Sequence, residues 1–157
     1  MFSRKRKLDK ALTPDEALPK LEQFCAYQER CPQEVREKLY ALGLKGEAAE
    51  QLYTTLENEG FFNEQRFAEG FARGKFRFNH WGRVRIRQAL RQKGISAALT
   101  EAALREIDDT EYEQVLRTLW EKKTHEFQGE DKGRDKALAS LIRAGFEPGL
   151  VFGLGGR

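Results

Sequence analysis

Apolar residues along this 157-residue chain return at helical spacing, and they return as a set. Val35, Leu39, Gly43 and Leu44 reappear 51 residues on as Ile86, Leu90, Gly94 and Ile95, and again after the same step as Ala137, Leu141, Gly145 and Phe146. No stretch shows the period-two alternation of a half-buried strand. A fixed step of this size marks one supersecondary unit used several times, each too small to bury its apolar face alone. The expectation is an all-α protein, an elongated tandem array of three three-helix units. Its function should then lie in an extended surface rather than in a catalytic cavity.

The local signals divide the chain accordingly. Residues 1–12 are expected to form a disordered basic tail, 13–60 the first unit, 61–108 a central basic unit, and 109–157 a third unit with a glycine-rich end. Thr13-Pro14-Asp15-Glu16 reads as a capping box, opening a helix with Ala17, Leu18, Leu21, Phe24 and Cys25 on its inner face. Pro32 opens the next helix, with Val35, Leu39 and Leu42 inward and Gly43 as its left-handed stop. Ala48, Leu52 and Leu56 mark a third helix that ends at Glu59-Gly60.

In the central unit, Asn63 is the expected N-cap of a helix burying Phe67, Ala68, Phe71 and Ala72. A loop through Asn79-His80-Trp81-Gly82 leads to a helix from about Arg83 to Lys93, and Ser96 caps the one after. The third unit begins near Asp109-Thr110, with Val115, Leu116, Leu119 and Trp120 apolar. A polar loop from Gln128 to Gly133 follows, then a helix bearing Ala137, Leu138 and Leu141. Leu150, Val151 and Leu154 belong to a last short helix, and from Gly153 onward the glycines should end it.

Charge changes the picture more than composition does. The net charge of +3 is unremarkable, but its distribution is uneven. Residues 17–69 carry 6 basic and 10 acidic side chains, and residues 101–157 carry 9 and 12, whereas residues 70–100 carry 8 basic and none acidic. A polyanion would find its partner in the middle of the chain. No apolar run approaches the roughly 20 residues of a membrane span, and no apolar h-region follows the basic start as in a secretory signal. Cys25 and Cys31 lack the spacing of a zinc site or a disulfide framework. A cytoplasmic protein with reduced thiols, working as a monomer and away from membranes, is expected.

Signatures of catalysis are missing. The chain has no GxxxxGK[ST], GxGxxG, HExxH or GxSxG motif, and no cofactor or metal is expected. His80 and His125 are its only histidines, and neither has neighbouring ligands. His125 reads as a solvated helix residue, Cys25 as core and Cys31 as a boundary residue. An enzyme is not expected.

The basic block is the candidate site: Arg73, Lys75, Arg77, Arg83, Arg85, Arg87, Arg91 and Lys93, with Trp81 among them. On the predicted helix, Arg83, Arg87 and Arg91 align along one flank beside the inward Ile86, Ala89 and Leu90. Like charges at that spacing are mutually destabilising, so an outside anion, a phosphate or a partner's acidic surface, should compensate them. Phe76, Phe78 and Trp81 interleave with the charges in the preceding loop, where exposed rings could stack on unpaired bases. Phe67, Phe71 and Phe76 fit the core better, while Trp81 fits either role.

The run Gly60-Phe61-Phe62-Asn63-Glu64-Gln65-Arg66-Phe67-Ala68, then Gly82-Arg83-Val84-Arg85-Ile86-Arg87-Gln88-Ala89-Leu90 and Lys93-Gly94-Ile95, resembles the RecX family of bacterial RecA regulators. Glu34-Val35-Arg36-Glu37-Lys38-Leu39 looks like that family's first-unit helix, and Leu141-Ile142-Arg143-Ala144-Gly145-Phe146 like its third. The chain departs from the family pattern at Cys31, where a serine is common, and after Phe152, where relatives tend to continue a helix. The resemblance implies a bent array of three-helix units that binds the RecA filament on single-stranded DNA. It also implies restraint of strand exchange, ATP hydrolysis and stimulated repressor cleavage, without enzymatic activity of its own. The partners implied are the RecA filament and, by direct contact, single-stranded DNA. Two rivals stand beside this reading: a generic DNA-binding helical module without a protein partner, and an adaptor that touches protein only.

Overall fold

A computed structural model describes residues 11–155, and these residues form nine helices and no strand. They are α1 (Pro14–Tyr27), α2 (Pro32–Ala41), α3 (Gly46–Asn58), α4 (Glu64–Asn79), α5 (Arg83–Gln92), α6 (Ala97–Arg105), α7 (Asp109–Glu126), α8 (Gly133–Arg143) and α9 (Pro148–Gly155). The ends are set by side-chain caps at the expected residues. Thr13 and Glu16 exchange the two hydrogen bonds of a capping box, the Asn63 carbonyl oxygen accepts from the Arg66 amide at 2.8 Å, and the Ser96 hydroxyl accepts from the Leu99 amide at 3.2 Å.

The repeat is visible in the packing. Val35, Ile86 and Ala137 are completely buried, as are Leu39, Leu90 and Leu141 to within 2 %. Gly43, Gly94 and Gly145 close α2, α5 and α8 at φ of 87, 79 and 104°, where a side chain would be strained. After the first and third of these turns the next amide reaches back to the helix, Leu44 to the Leu39 carbonyl at 3.0 Å and Phe146 to the Leu141 carbonyl at 3.2 Å. An ion pair repeats as well. Arg36 binds Glu50 at 2.7 Å, and 51 residues on, Arg87 binds Glu101 at the same distance. The third unit has Leu138 and Phe152 at those positions.

Contacts divide the chain into two compact units, one running up to Phe67 and including Lys93–Ile95, the other comprising Ala68–Gln92 and Ser96 onward. In the first, α1 packs on α2 and α3 around Ala17, Leu21, Cys25, Val35, Leu39, Leu52, Leu56 and Phe62. In the second, α5 packs on α6, and α8 on α7 and α9. A chain of rings runs through this second core: Phe76 lies 5.6 Å from Tyr112 between centroids, and Tyr112 lies 5.2 Å from Phe146. Such tilted pairs add about 0.5–1.5 kcal/mol each beyond their buried area.

Three expectations need correction. The glycines after Phe152 do not end the last helix, which continues to Gly155. Pro148 presets its first turn and the fully buried Val151 anchors it, which offsets the glycine cost. Residues 1–10, most of the tail expected to be disordered, lie outside the described residues, but Leu12 is ordered and its amide donates to the Leu42 carbonyl at 3.2 Å. Phe76 and Phe78 are not in a loop, because α4 runs on to Asn79.

Candidate nucleic-acid interface

Arg73, Lys75, Arg77, Arg83 and Arg85 sit on one corner of the second unit, where α4 ends and α5 begins, and Arg87 and Arg91 follow along α5. Phe67, Ala68, Ala72 and Phe76 bury the inner face of α4, leaving Arg73, Arg77 and Phe78 exposed and Lys75 and Phe71 half-buried. The helix stops without a glycine. His80 takes the left-handed conformation at φ 56°, an uncommon state for a residue with a side chain. That turn folds the chain back, so that the Trp81 amide donates to the Lys75 carbonyl at 3.1 Å.

Trp81 is thereby laid against the last turns of α4. The Lys75 ammonium lies 4.8 Å from its ring centre and the Arg85 guanidinium 4.0 Å, both over the ring. Phe71 meets it edge-on at 6.4 Å. The aromatic quadrupole attracts each cation by about 0.5–1 kcal/mol at an exposed site. Neither Lys75 nor Arg85 has a carboxylate partner among the described residues.

On the other flank of α5 the arginines are engaged. Arg83 is mostly buried, its side chain 18 % exposed, and binds Asp109 at 2.7 Å and Glu147 at 3.3 Å. Its guanidinium also stacks on Tyr112 at 3.7 Å. Arg87 holds Glu101 through two hydrogen bonds of 2.7 and 3.2 Å, and that contact keeps the Glu101 carboxyl below the usual carboxylate range. Arg77 reaches Glu111 at 3.5 Å.

The outside anion expected to compensate Arg83 and Arg87 is therefore unnecessary, because α6, α7 and the α8–α9 turn supply the charges. Lys93 departs from the group in another way: it is half-buried and belongs by its contacts to the first unit. Among the described residues, the cations of this block left without an ion pair are Arg73, Lys75 and Arg85, while the charge of Arg91 acts on Glu101 alongside that of Arg87.

Backbone contacts fix this corner. The Gly82 amide donates to the Ala144 carbonyl and the Val84 amide to the Gly145 carbonyl, both at 2.9 Å. The Arg83 amide donates to the Tyr112 hydroxyl at 3.0 Å, and that hydroxyl donates to Glu147. The approach is too close for side chains: a Cβ on Gly82 would lie 2.3 Å from the Gly145 carbonyl carbon, and one on Gly145 would lie 2.3 Å from Arg85 Cβ. Three amides at the start of α5 thus already have acceptors, so its positive end is not open to an anion.

Tyr112 was not anticipated. It is the largest fully buried side chain of the second unit. Burial and the hydrogen bond to Glu147 push its phenol well above the ordinary value. Its position at an inward spacing from Leu116 was the available signal.

Residues 63–104, which contain this corner, match the family model for RecX, second three-helix domain. The regulatory protein RecX of Amycolatopsis mediterranei is 27 % identical over 147 residues, covering 90 % of this chain and 84 % of that protein. That of Prosthecochloris aestuarii is 31 % identical over 125 residues, covering 79 % and 81 %. Against the longer RecX of Streptococcus sanguinis, 28 % identical, the chain spans only 47 % of the relative's length. The crystal structure of RecX from Lactobacillus salivarius superposes with a TM-score of 0.81 at 23 % sequence identity, over 88 % of this chain and 92 % of that one.

Proposed function

Since this chain belongs to the RecX family of regulatory proteins, we propose that it regulates the RecA recombinase, binding the RecA filament on single-stranded DNA and restraining its assembly, ATP hydrolysis, strand exchange and coprotease activity. The observation that carries the reading is the sorting of the central charges. Arg83 and Arg87 are neutralised within the fold. Lys75 and Arg85 lie over Trp81 without an ion pair among the described residues, and Arg73 and Phe78 are exposed on the same helix as Lys75. Cations interleaved with aromatic rings suit a single strand, whose phosphates attract the charges and whose unpaired bases can stack.

In this reading the corner supplies attraction to the DNA inside the filament. The acidic surfaces elsewhere, repelled by phosphate, meet RecA or solvent. Contact with neighbouring RecA protomers restrains the filament, either by blocking growth at an end or by loosening protomer contacts. The chain performs no chemistry of its own.

The test is RecA's ATPase rate on single-stranded DNA as this protein is added below the RecA concentration, with a parallel titration on bare DNA at the same salt. Loss of activity at substoichiometric ratios, with bare DNA weakly bound, is expected of a filament-directed regulator. Inhibition only when the protein saturates the DNA is the result expected of the generic DNA-binding module, and it overturns the reading.

A further inference from the structure

Lys75 and Arg85 approach the same indole ring, 4.8 and 4.0 Å from its centre, so the two charges are no farther apart than the sum of those distances. Two like charges held this close without a carboxylate are an arrangement that an anion between them would relieve. The anion is not drawn by the start of α5, because the Gly82, Arg83 and Val84 amides already have acceptors. The attraction comes from the side chains alone. Trp81 is engaged by a lysine, an arginine and the edge of Phe71, and so it orders the two cations. The free ring is Phe78, 86 % exposed and three residues beyond Lys75 on α4.

We infer that Lys75 and Arg85, aligned by Trp81, form a clamp for one phosphodiester of a single strand, with Phe78 stacking on a neighbouring unpaired base. The inference rests on the reading that this corner meets DNA within the RecA filament, and it goes beyond it by assigning phosphate to the Trp81 cluster and base to Phe78. A phosphodiester fits better than a protein carboxylate. The carboxylates that approach this corner, those of Asp109, Glu101, Glu111 and Glu147, pair with Arg77, Arg83 and Arg87 and not with Lys75 or Arg85, and a carboxylate partner would leave Phe78 without a role.

The test is the affinity of the full chain for a fluorescent oligothymidylate between about 50 and 200 mM salt. The variants are Lys75→Gln, Arg85→Gln, the double variant and Phe78→Ala, each checked for parental helicity by circular dichroism. One phosphate on a single strand contributes about 0.7 to the slope of log affinity against log salt. If the two cations share a phosphate, each single variant lowers the slope by up to about 0.7 and the double variant by no more than about 0.7. Phe78→Ala weakens binding by about 5- to 150-fold with the slope unchanged.

Slope losses that add to about 1.4 mean two separate phosphates and overturn the clamp. So do variants that bind as the parent does, or a parent that binds no oligothymidylate even at the lowest salt. If the double variant loses bare-DNA binding yet restrains RecA fully, the clamp stands and the regulatory reading of this corner falls. If it keeps DNA binding and loses restraint of RecA, the cations meet protein carboxylates and the clamp falls.

Discussion

The corner between the first two helices of the opening unit and the same corner 51 residues on are built from one plan with its chemistry exchanged. In the first unit Phe24 lies on α1 and Arg30 in the turn, with the guanidinium 3.7 Å over the ring. In the central unit the cation, Lys75, lies on the helix and the ring, Trp81, in the turn. At the third position of the pattern Glu34 becomes Arg85. Glu34 accepts from the Cys31 amide at 3.0 Å and so caps α2, whereas Arg85 caps nothing and leans on Trp81.

Lys38 also approaches Phe24, at 5.3 Å, so the first corner too has two cations near one ring. The difference is that Arg30 is engaged: its Nε donates to the Phe24 carbonyl at 2.9 Å and satisfies the end of α1. A cation that closes a helix is structural. Two that close nothing, in a stretch without a single acid, are available to a ligand. The repeat thus reuses a geometry while moving it from holding the fold to presenting charge.

The largest effect that separates the corners is steric. Gly82 and Cys31 occupy equivalent positions, but only Gly82 lies against backbone at a distance no Cβ can tolerate. Gly82→Ala is expected to destabilise the protein by about 3 kcal/mol or more, since carbonyl and amide cannot move aside as a flexible side chain would. Cys31→Ala should cost only about 1 kcal/mol, the loss of one small buried group. Chemical denaturation of both variants checks the contrast, and equal losses would mean that the Gly82–Gly145 approach does not hold the central corner.

Next in size is Tyr112→Phe, which removes the acceptor of the Arg83 amide and the donor to Glu147. About 2 kcal/mol is expected for leaving those groups unmatched. It also removes a pH dependence. The phenol's folded value lies above its ordinary 10.0, chiefly through burial, so the neutral form is favoured in the folded state. That stabilisation is fully present below pH 10.0 and falls away as the pH rises beyond it. Thermal melts of parent and variant should therefore converge in strongly alkaline buffer. A gap that stays constant with pH would contradict the assignment.

The smallest effect has the opposite sign. Thr100 is buried, its hydroxyl has no hydrogen-bond partner among the described residues, and the equivalent residues are Ala49 and Val151. Thr100→Val is expected to raise stability by about 1 kcal/mol, because an unmatched polar group is replaced by an apolar one of the same shape. A lower melting temperature would show that the hydroxyl has a partner in solution.

The legible parts of this molecule are those written in local sequence. The glycine stops and the caps at Thr13, Asn63 and Ser96 depend on residues within a turn of one another, and they stand where expected, as does the 51-residue step on which the glycine stops recur. The ion pairs were not legible. Arg83 meets Asp109 and Glu147, 26 and 64 residues away, and no spacing rule reaches that far. Lys75, Trp81 and Arg85 all stand among the candidates the sequence offers, but their convergence does not show in it, because it depends on a left-handed His80 where no glycine announces the turn. The glycine-rich end misled for the converse reason: burial of Val151 outweighs a poor local propensity.

The most direct measurement is the RecA ATPase assay on single-stranded DNA with two charge-reversed proteins, Lys75→Glu/Arg85→Glu and Arg30→Glu/Lys38→Glu. The central pair is expected to raise the half-inhibiting concentration about tenfold or more, equivalent to about 1.4 kcal/mol of lost binding. The first-unit pair should leave it within about twofold of the parent once folding is matched. Equal inhibition by both variants, or a larger loss from the first-unit pair, would contradict the assignment of the central corner as the surface that meets the filament.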